Sequence, residues 1–269
     1  MDSKNIFDSN RSAWNEALNY HQKARSNSLQ EGFQDSAFTT FDRDCDAVLL
    51  EKLAEIDLTD KVIGQLPCNN GRELLSLMKL GAKKAVGFDI SDNAILEARQ
   101  LAEIAEMDAT FERINILDID DKYNNYFDFI YISEGSLQWF PDLNAYFAVV
   151  SRLLKKGGQL LIFEMHPIAY LFEVDFDAQK PDFDLLIPYF EKGPYQYKDG
   201  LDYIGGVEYE SKEGYWFMHK LSDILKALIK NGMILEDIEE YNLEMANNES
   251  TKVLDKFPLS YMVVAKSDR

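Results

Sequence analysis

The stretch VIGQLPCNNGRE, Val62 to Glu73, decides how this chain folds. A short apolar run, Val62 to Leu66, leads into a tight polar turn, Pro67-Cys-Asn-Asn-Gly71. A helical pattern follows at Leu74, Leu75, Leu77 and Met78. Strand, turn and helix in that order usually hold a nucleotide-like ligand at the helix N-terminus. This turn is unusual because Gly71 is its only glycine, and Pro67 has no N–H to donate to a phosphate. The dinucleotide fingerprint GxGxxG is absent. Asparagine is the best substitute for glycine at positive φ, so Asn69 or Asn70 can form the turn. Two readings stand: a binding loop, or an ordinary strand-to-helix turn with an asparagine cap.

Working outward, strands and helices alternate. Arg72 to Leu80 reads as a helix stopped at Gly81, and Ala85 to Ile90 as a second strand. Ser91 caps a long helix, Asp92 to Met107. Thr110 to Ile116 and Phe127 to Ser133 are the third and fourth strands. Pro141 to Leu154 is a helix with proline in its first turn, and Lys155-Lys-Gly-Gly158 turns into a fifth strand, Gln159 to Met165. Such alternation predicts βαβ units and a parallel sheet with helices on both faces. Upstream, helices are expected over 9–25, with Ser9 as cap, and over 44–56, separated by a loop over 26–43. Downstream, Lys220 to Lys230 has helical period, and Met233 to Tyr241 and Leu259 to Lys266 read as late strands. Between them, residues 172–217 hold 12 aromatic residues, and 173–213 hold 11 acids against 4 bases. This segment is either a lid over the site or extra strands along one sheet edge.

In an open parallel sheet, ligands bind outside the carboxyl ends of the strands. Those ends carry Pro67 to Gly71, Asp89, Asn115-Ile116, Ser133-Glu134-Gly135 and Glu164-Met165-His166. Asp89 is the sharpest of them. It follows Gly71 by 18 positions, where a carboxylate can accept both hydroxyls of a ribose; otherwise it is a loop acid favoured by a helix N-terminus. A loop of asparagines beside a ribose acid suits a nucleoside carrying an amino acid better than a diphosphate.

Composition narrows the field. The chain has 269 residues and a net charge of −19, from 28 Lys and Arg against 47 Asp and Glu. Such a surface repels polyanions, so nucleic acid is not expected as a partner. No apolar run is long enough to span a bilayer, so no membrane partner is expected, and the start reads as no signal peptide. Two cysteines without a CxxC pair point to a reducing cytosol, with neither disulfide nor metal site.

The ordered segments VIGQLPCNNGRE, AVGFDIS, RINILDI, FDFIYISEGSLQWFPDL and LLKKGGQLLIFEMHP resemble the class I S-adenosylmethionine-dependent methyltransferases. They are similar to a bacterial small-molecule branch with SEGxLxWxPDL and ExHP signatures. The resemblance runs from about residue 62 to 167 and more weakly to the end. It implies an α/β, Rossmann-like, seven-stranded and mostly parallel sheet. A helical cover is expected over 1–60 and the methyltransferase domain over 61–269, with 167–217 as an aromatic, acidic lid or edge insertion.

The resemblance implies S-adenosylmethionine as cofactor, held by Pro67, Cys68, Asn69, Asn70 and Gly71, with Asp89 and Ile90 at the ribose. It puts Asn115 and Ile116 beside the adenine, and Ser133 and Glu134 at the sulfonium end. Gln65 stands where that family often has an acid, and Pro67 and Asn69 where it often has glycine. If the acceptor must lose a proton, Glu134 and His166 are the candidate groups; His166 can equally be a hydrogen-bonded residue holding the Pro167 turn. The function expected is methyl transfer to a small molecule. The rivals are a nicotinamide- or flavin-dependent oxidoreductase and a protein that binds an adenosyl ligand without catalysis.

Overall fold

The computed structural model describes residues 3–171, 187–245 and 257–269. Its main sheet contains β1 (Val62–Gln65), β2 (Lys84–Asp89), β3 (Ala109–Arg113), β4 (Phe127–Ile132) and β5 (Leu154–Met165). After a separate two-stranded ribbon, β6 (Tyr195–Tyr197) with β7 (Gly214–Trp216), the chain adds β8 (Met233–Tyr241) and β9 (Ser260–Ser267) to the main sheet. The strand order is β3-β2-β1-β4-β5-β9-β8. The first five strands pair in parallel, and β9 runs antiparallel between β5 and β8. This is the expected seven-stranded, mostly parallel α/β sheet.

Helices α1 (Ser3–Arg25), α2 (Ser28–Phe33) and α3 (Asp46–Ile56) precede the sheet. Within it lie α4 (Arg72–Lys79), α5 (Asp92–Ile104), α6 (Leu143–Leu153) and α7 (Leu221–Lys230). Successive strand residues face opposite sides. In β4, Phe129 and Tyr131 join the core under α3, α4 and α5, while Ile130 and Ile132 join the core under α6 and α7. The same alternation in β5 sends Leu161 and Phe163 to one side and Leu160 and Ile162 to the other. All eight are fully buried, and each contributes roughly 1.5–3 kcal/mol on leaving water. A sheet buried on both faces explains why its strands read as continuous apolar runs.

Several element bounds differ from expectation. Helix α1 begins at Ser3, not after Ser9, because Ile6 and Phe7 extend its buried face. Residues 28–33 form α2 rather than loop. Helix α5 stops at Ile104, and β3 ends at Arg113. Asn115 then caps a 3-10 turn over Ile116–Asp118 by accepting from the Leu117 N–H at 3.1 Å. Pro141 lies outside α6, whose cap is Asp142. Lys155 to Gly158 is strand rather than turn, with a register shift against β4 between Phe127 and Phe129. Of the segment 172–217, residues 172–186 lie outside the described residues; the rest supplies only the short β6–β7 ribbon. Among the described residues no helix is long and apolar enough to cross a membrane.

Candidate functional site

The strand order reverses direction between β1 and β4, so their carboxyl ends open onto the crevice where α/β sheets bind ligands. The loop after β1 is held from below. The Cys68 N–H donates to the Phe88 carbonyl at 2.9 Å and the Gly71 N–H to the Cys68 carbonyl at 2.9 Å. Asn69 takes the left-handed conformation, φ 48°, and so does Gly71, φ 74°. At Gly71 a Cβ would sit 2.6 Å from the Phe111 ring and 2.9 Å from Ala98. Only glycine fits there, whereas Asn69 supplies the other left-handed turn with a side chain in place. The Asn69 side-chain oxygen accepts the Asn70 N–H at 2.7 Å.

Asp89 joins this loop to the next one. Its Oδ2 accepts the Asn69 N–H and its Oδ1 the Ser91 N–H, both at 2.8 Å. Burial pushes its pKa up to about 6 despite those bonds, to which the Ile90 N–H adds. Ser91 caps α5 by accepting the Ala94 N–H at 3.2 Å. Asn115 and Ile116 lie just beyond, where the Ile114 N–H donates to the Asp89 carbonyl at 2.8 Å.

On the β4 side, the Gln65 amide donates to Glu73 Oε2 at 2.7 Å and to the Ser133 hydroxyl at 3.2 Å. Arg43 Nη1 reaches both oxygens of Glu134, at 2.7 and 2.8 Å, while Arg43 Nη2 and Nε hold Asp46. Burial raises the Glu134 pKa and Arg43 opposes the rise. At the end of β5, the buried Glu164 carboxylate accepts N–H bonds from Ser136 at 2.9 Å, Leu137 at 3.2 Å and Met165 at 2.9 Å, and also from Gly135. It therefore fixes the path of residues 135–137 beside Ser133 and Glu134. Burial pushes its pKa up to about 7 against those four donors.

His166 directly follows β5. Its Nδ1 accepts the Ile168 N–H at 3.1 Å, its Nε2 lies 2.9 Å from Glu240 Oε1, and burial lowers the pKa of the ring. The ring is buried, and the arrangement is that of a residue holding the Pro167 turn.

Helix α1 ties both sides of the crevice together. Arg11 bonds Asp92 through two contacts, at 2.7 and 2.8 Å, and Asn15 reaches Asp92, Ser91 and Asn93. On the other side, Asn10 exchanges two bonds with the Tyr215 backbone, at 2.9 and 2.7 Å. His21 Nε2 bonds the Leu201 carbonyl at 2.7 Å, and Tyr20 stacks on Tyr209 at 4.0 Å. Burial lowers the His21 pKa to about 4, so its ring is neutral. Trp14 packs edge-on against Trp139 at 5.4 Å and near Tyr203 at 6.5 Å, giving the crevice an aromatic roof.

Two buried atoms at the crevice, Gln65 Oε1 and Asn70 Nδ2, have no protein partner. An acceptor and a donor at that position fit the amino-acid end of an adenosyl ligand, with the Asp89 carboxylate fitting its ribose hydroxyls.

Residues 60–203 match the family described as a methyltransferase domain. The chain belongs to that family. Among curated relatives, the ribosomal protein L11 methyltransferase of Haemophilus influenzae is 32% identical over 124 residues, 46% of this chain and 40% of the relative. The methyltransferase chain thus spans under half the length of the curated relatives it matches. Among solved structures, an S-adenosylmethionine-dependent methyltransferase from Mesorhizobium loti superposes with TM-score 0.59 at 22% identity, covering 80% of this chain and 96% of that one. Geranyl diphosphate C-methyltransferase from Streptomyces coelicolor superposes with TM-score 0.53 at 13% identity, covering 82% and 79%. These likenesses show the shared methyltransferase fold.

Within that fold, the structure brings Cys68 to Gly71, Asp89, Ile90, Asn115, Ser133 and Glu134 to one edge of the sheet, and holds His166 inside the Pro167 turn. Sequence reading named Gln65 at its motif position and Glu164 at a strand end without giving either its role, and it missed Arg43 as the partner of Glu134.

Proposed function

We propose that this protein transfers a methyl group from S-adenosylmethionine to a small-molecule acceptor. The observation that carries the reading is Asp89: one carboxylate at the end of β2 organises both the Asn69 loop and the cap of α5, and keeps lone pairs for two ribose hydroxyls. The family match and the fold support the same reading.

When bound, the cofactor supplies a methyl group already activated on a sulfonium. The protein's share is then positioning. Asn69, Asn70 and Gly71 shape the loop, with Pro67 and Cys68 beneath it; Gln65 and Ser133 orient the amino-acid end. Asp89 and Ile90 hold the ribose, and Asn115 and Ile116 flank the adenine. Glu134, locked by Arg43, keeps a negative charge toward the sulfonium end. We assign no proton transfer to His166, whose ring is buried with Nδ1 taken by the Ile168 N–H, and Glu134 is a binding rather than a reacting group.

The N-terminal helices and the described part of the insertion, residues 187–217, shape the acceptor pocket, whose roof is Trp14, Trp139 and Tyr203. Such an aromatic roof favours a small acceptor. Two free, buried cysteines suit a reducing cytosol. A protein acceptor is the second reading, supported by the name of the L11-modifying relatives and by the acidic surface.

Calorimetry with S-adenosylhomocysteine and with NAD tests the cofactor: binding of the first and not the second is expected. Methyl transfer into a small-metabolite pool, compared with ribosomal protein, then tests the acceptor. Tight NAD binding with no response to the adenosyl ligand would sink the reading.

A further inference from the structure

Three of the carboxylates that border the crevice have their donors. Asp89 accepts the Asn69 and Ser91 N–H groups, Arg43 holds both oxygens of Glu134, and Glu164 accepts four backbone N–H groups. Glu73 differs. It stands in the first turn of α4, two positions after Gly71. The one hydrogen bond the structure gives its carboxylate comes from the Gln65 amide, at 2.7 Å. Among the described residues no Lys, Arg or His lies within ion-pair distance of it, its neighbour Arg72 included.

A helix N-terminus accounts for an acid in that turn, but not for what Glu73 does to Gln65. Gln65 ends β1 and is 1% exposed. Its amide nitrogen has two hydrogens, and both are spent: one on Glu73 Oε2, the other on the Ser133 hydroxyl at 3.2 Å. The amide cannot turn over, because that would set its oxygen against a carboxylate, which only accepts. Gln65 Oε1 is thereby fixed as an acceptor, buried and without a protein donor. That state is costly. The Glu73 carboxylate on the same amide keeps lone pairs of its own. Two acceptors, one of them charged, are thus tied together by a single hydrogen bond. The group that satisfies both is an ammonium, which has three donors and no acceptor. Asn70 Nδ2, the other unpartnered buried atom of this loop, is a donor and suits a carboxylate instead.

We propose that Glu73 is the counter-ion for the α-ammonium of S-adenosylmethionine, holding it jointly with Gln65 Oε1 while Asn70 Nδ2 meets the adjoining carboxylate. The inference rests on the adenosyl-cofactor reading and adds to it a residue that selects ligands by their amino group. Glu134 does not serve, since Arg43 already neutralises it. A ligand without the ammonium leaves Glu73 and Oε1 unpaired, so it binds more weakly.

The experiment is calorimetry on the whole protein, native and as Glu73→Gln, with thermal melts to verify folding. The glutamine can still accept the Gln65 amide, so the substitution removes the charge and spares the bond. Four ligands are titrated: S-adenosylhomocysteine, its analogue lacking the amino group, its analogue lacking the carboxyl group, and 5′-methylthioadenosine. The native protein should bind S-adenosylhomocysteine roughly tenfold more tightly than the analogue without the amino group. Glu73→Gln should weaken the two ligands that carry an ammonium roughly tenfold and leave the other two within about twofold. Equal native affinity with and without the amino group overturns the proposal, even where the variant does not fold. A folded variant with native affinity for S-adenosylhomocysteine overturns it too, and so does one that weakens all four ligands alike, since Glu73 then only shapes the loop. A loss confined to the ligands that carry a carboxylate reverses the assignment of the two ends. A native protein that binds none of the four overturns the cofactor reading itself, and the role of Glu73 with it.

Discussion

The backbone N–H of Asn69 donates to Asp89 Oδ2 at 2.8 Å across 20 positions of sequence. The loop after β1 and the acid that ends β2 are therefore one unit.

Replacing Asp89 by alanine is expected to act twice. Loss of the charged acceptor for two ribose hydroxyls should weaken S-adenosylhomocysteine binding by roughly 2–3 kcal/mol. The orphaned Asn69 and Ser91 amides should lower stability by about 1–3 kcal/mol. Calorimetry and urea unfolding separate the two effects; a stable variant with native affinity would reduce Asp89 to an ordinary loop acid.

The same carboxylate sets a pH dependence. Its folded pKa of about 6 lies above the ordinary 3.8. Its burial therefore favours the protonated form, and the associated stability is fully present below pH 3.8 and lost as pH rises through 6. Cofactor affinity runs the opposite way, because the anion is the better acceptor for hydroxyls. Affinity for S-adenosylhomocysteine should climb as pH rises through 6, and the climb should disappear in Asp89→Asn. A profile identical in both proteins would assign the titration to another group.

Gly71→Ala should destabilise strongly. The new Cβ meets Phe111 at 2.6 Å and sits at φ 74°, so steric overlap adds to backbone strain, for roughly 2–4 kcal/mol together. Gly206→Ala is the matched control: φ is 67° with nothing within 4 Å, so only strain of roughly 1 kcal/mol applies. Equal losses in denaturant melts would contradict the close packing under the loop.

Arg43→Ala leaves Glu134 and Asp46 without their shared cation, whereas Glu134→Ala leaves Arg43 still bonded to Asp46. The pair with Glu134 is partly solvated, 24% exposed on each side, which discounts its strength. The expected losses are roughly 2–3 kcal/mol for the first and about 1 kcal/mol for the second. Unfolding of both variants and the double variant would measure the coupling; a larger loss for Glu134→Ala would reverse this order.

The parts of this architecture that sequence reveals are those with local causes. Strand β8 was legible as Met233 to Tyr241, with Gly232 marking its start. Asp89 and the Asn69 turn were legible because a strand end and a left-handed turn each leave their mark within a few residues. Pro141 was misplaced because Asp142 competes as a cap, and its side chain won by accepting the Asn144 and Ala145 amides. Lys155 to Gly158 looked like a turn because two glycines usually mark one, yet they form a bulge inside β5, between Leu154 and Gln159, which both pair with β4. Contacts between distant segments left no trace of this kind. Arg43 lies 91 positions from Glu134, and His21 lies 180 from Leu201. No period or spacing encodes such pairings, so the salt-bridged side of the site and its roof emerge only from the folded chain.

Cys68 sits in the loop after β1, where its sulfur would lie 2.8 Å from a Cβ at Gly87. Burial holds the thiol well above its ordinary pKa, so it is chemically silent while the loop is closed. Cys45, whose thiol burial pushes up to about 11, is silent for the same reason at the start of α3. The molecule therefore carries two native stopwatches for local opening. The labelling rate of Cys68 times the excursions of the loop, and that of Cys45 times those of the N-terminal cover, with no foreign probe introduced.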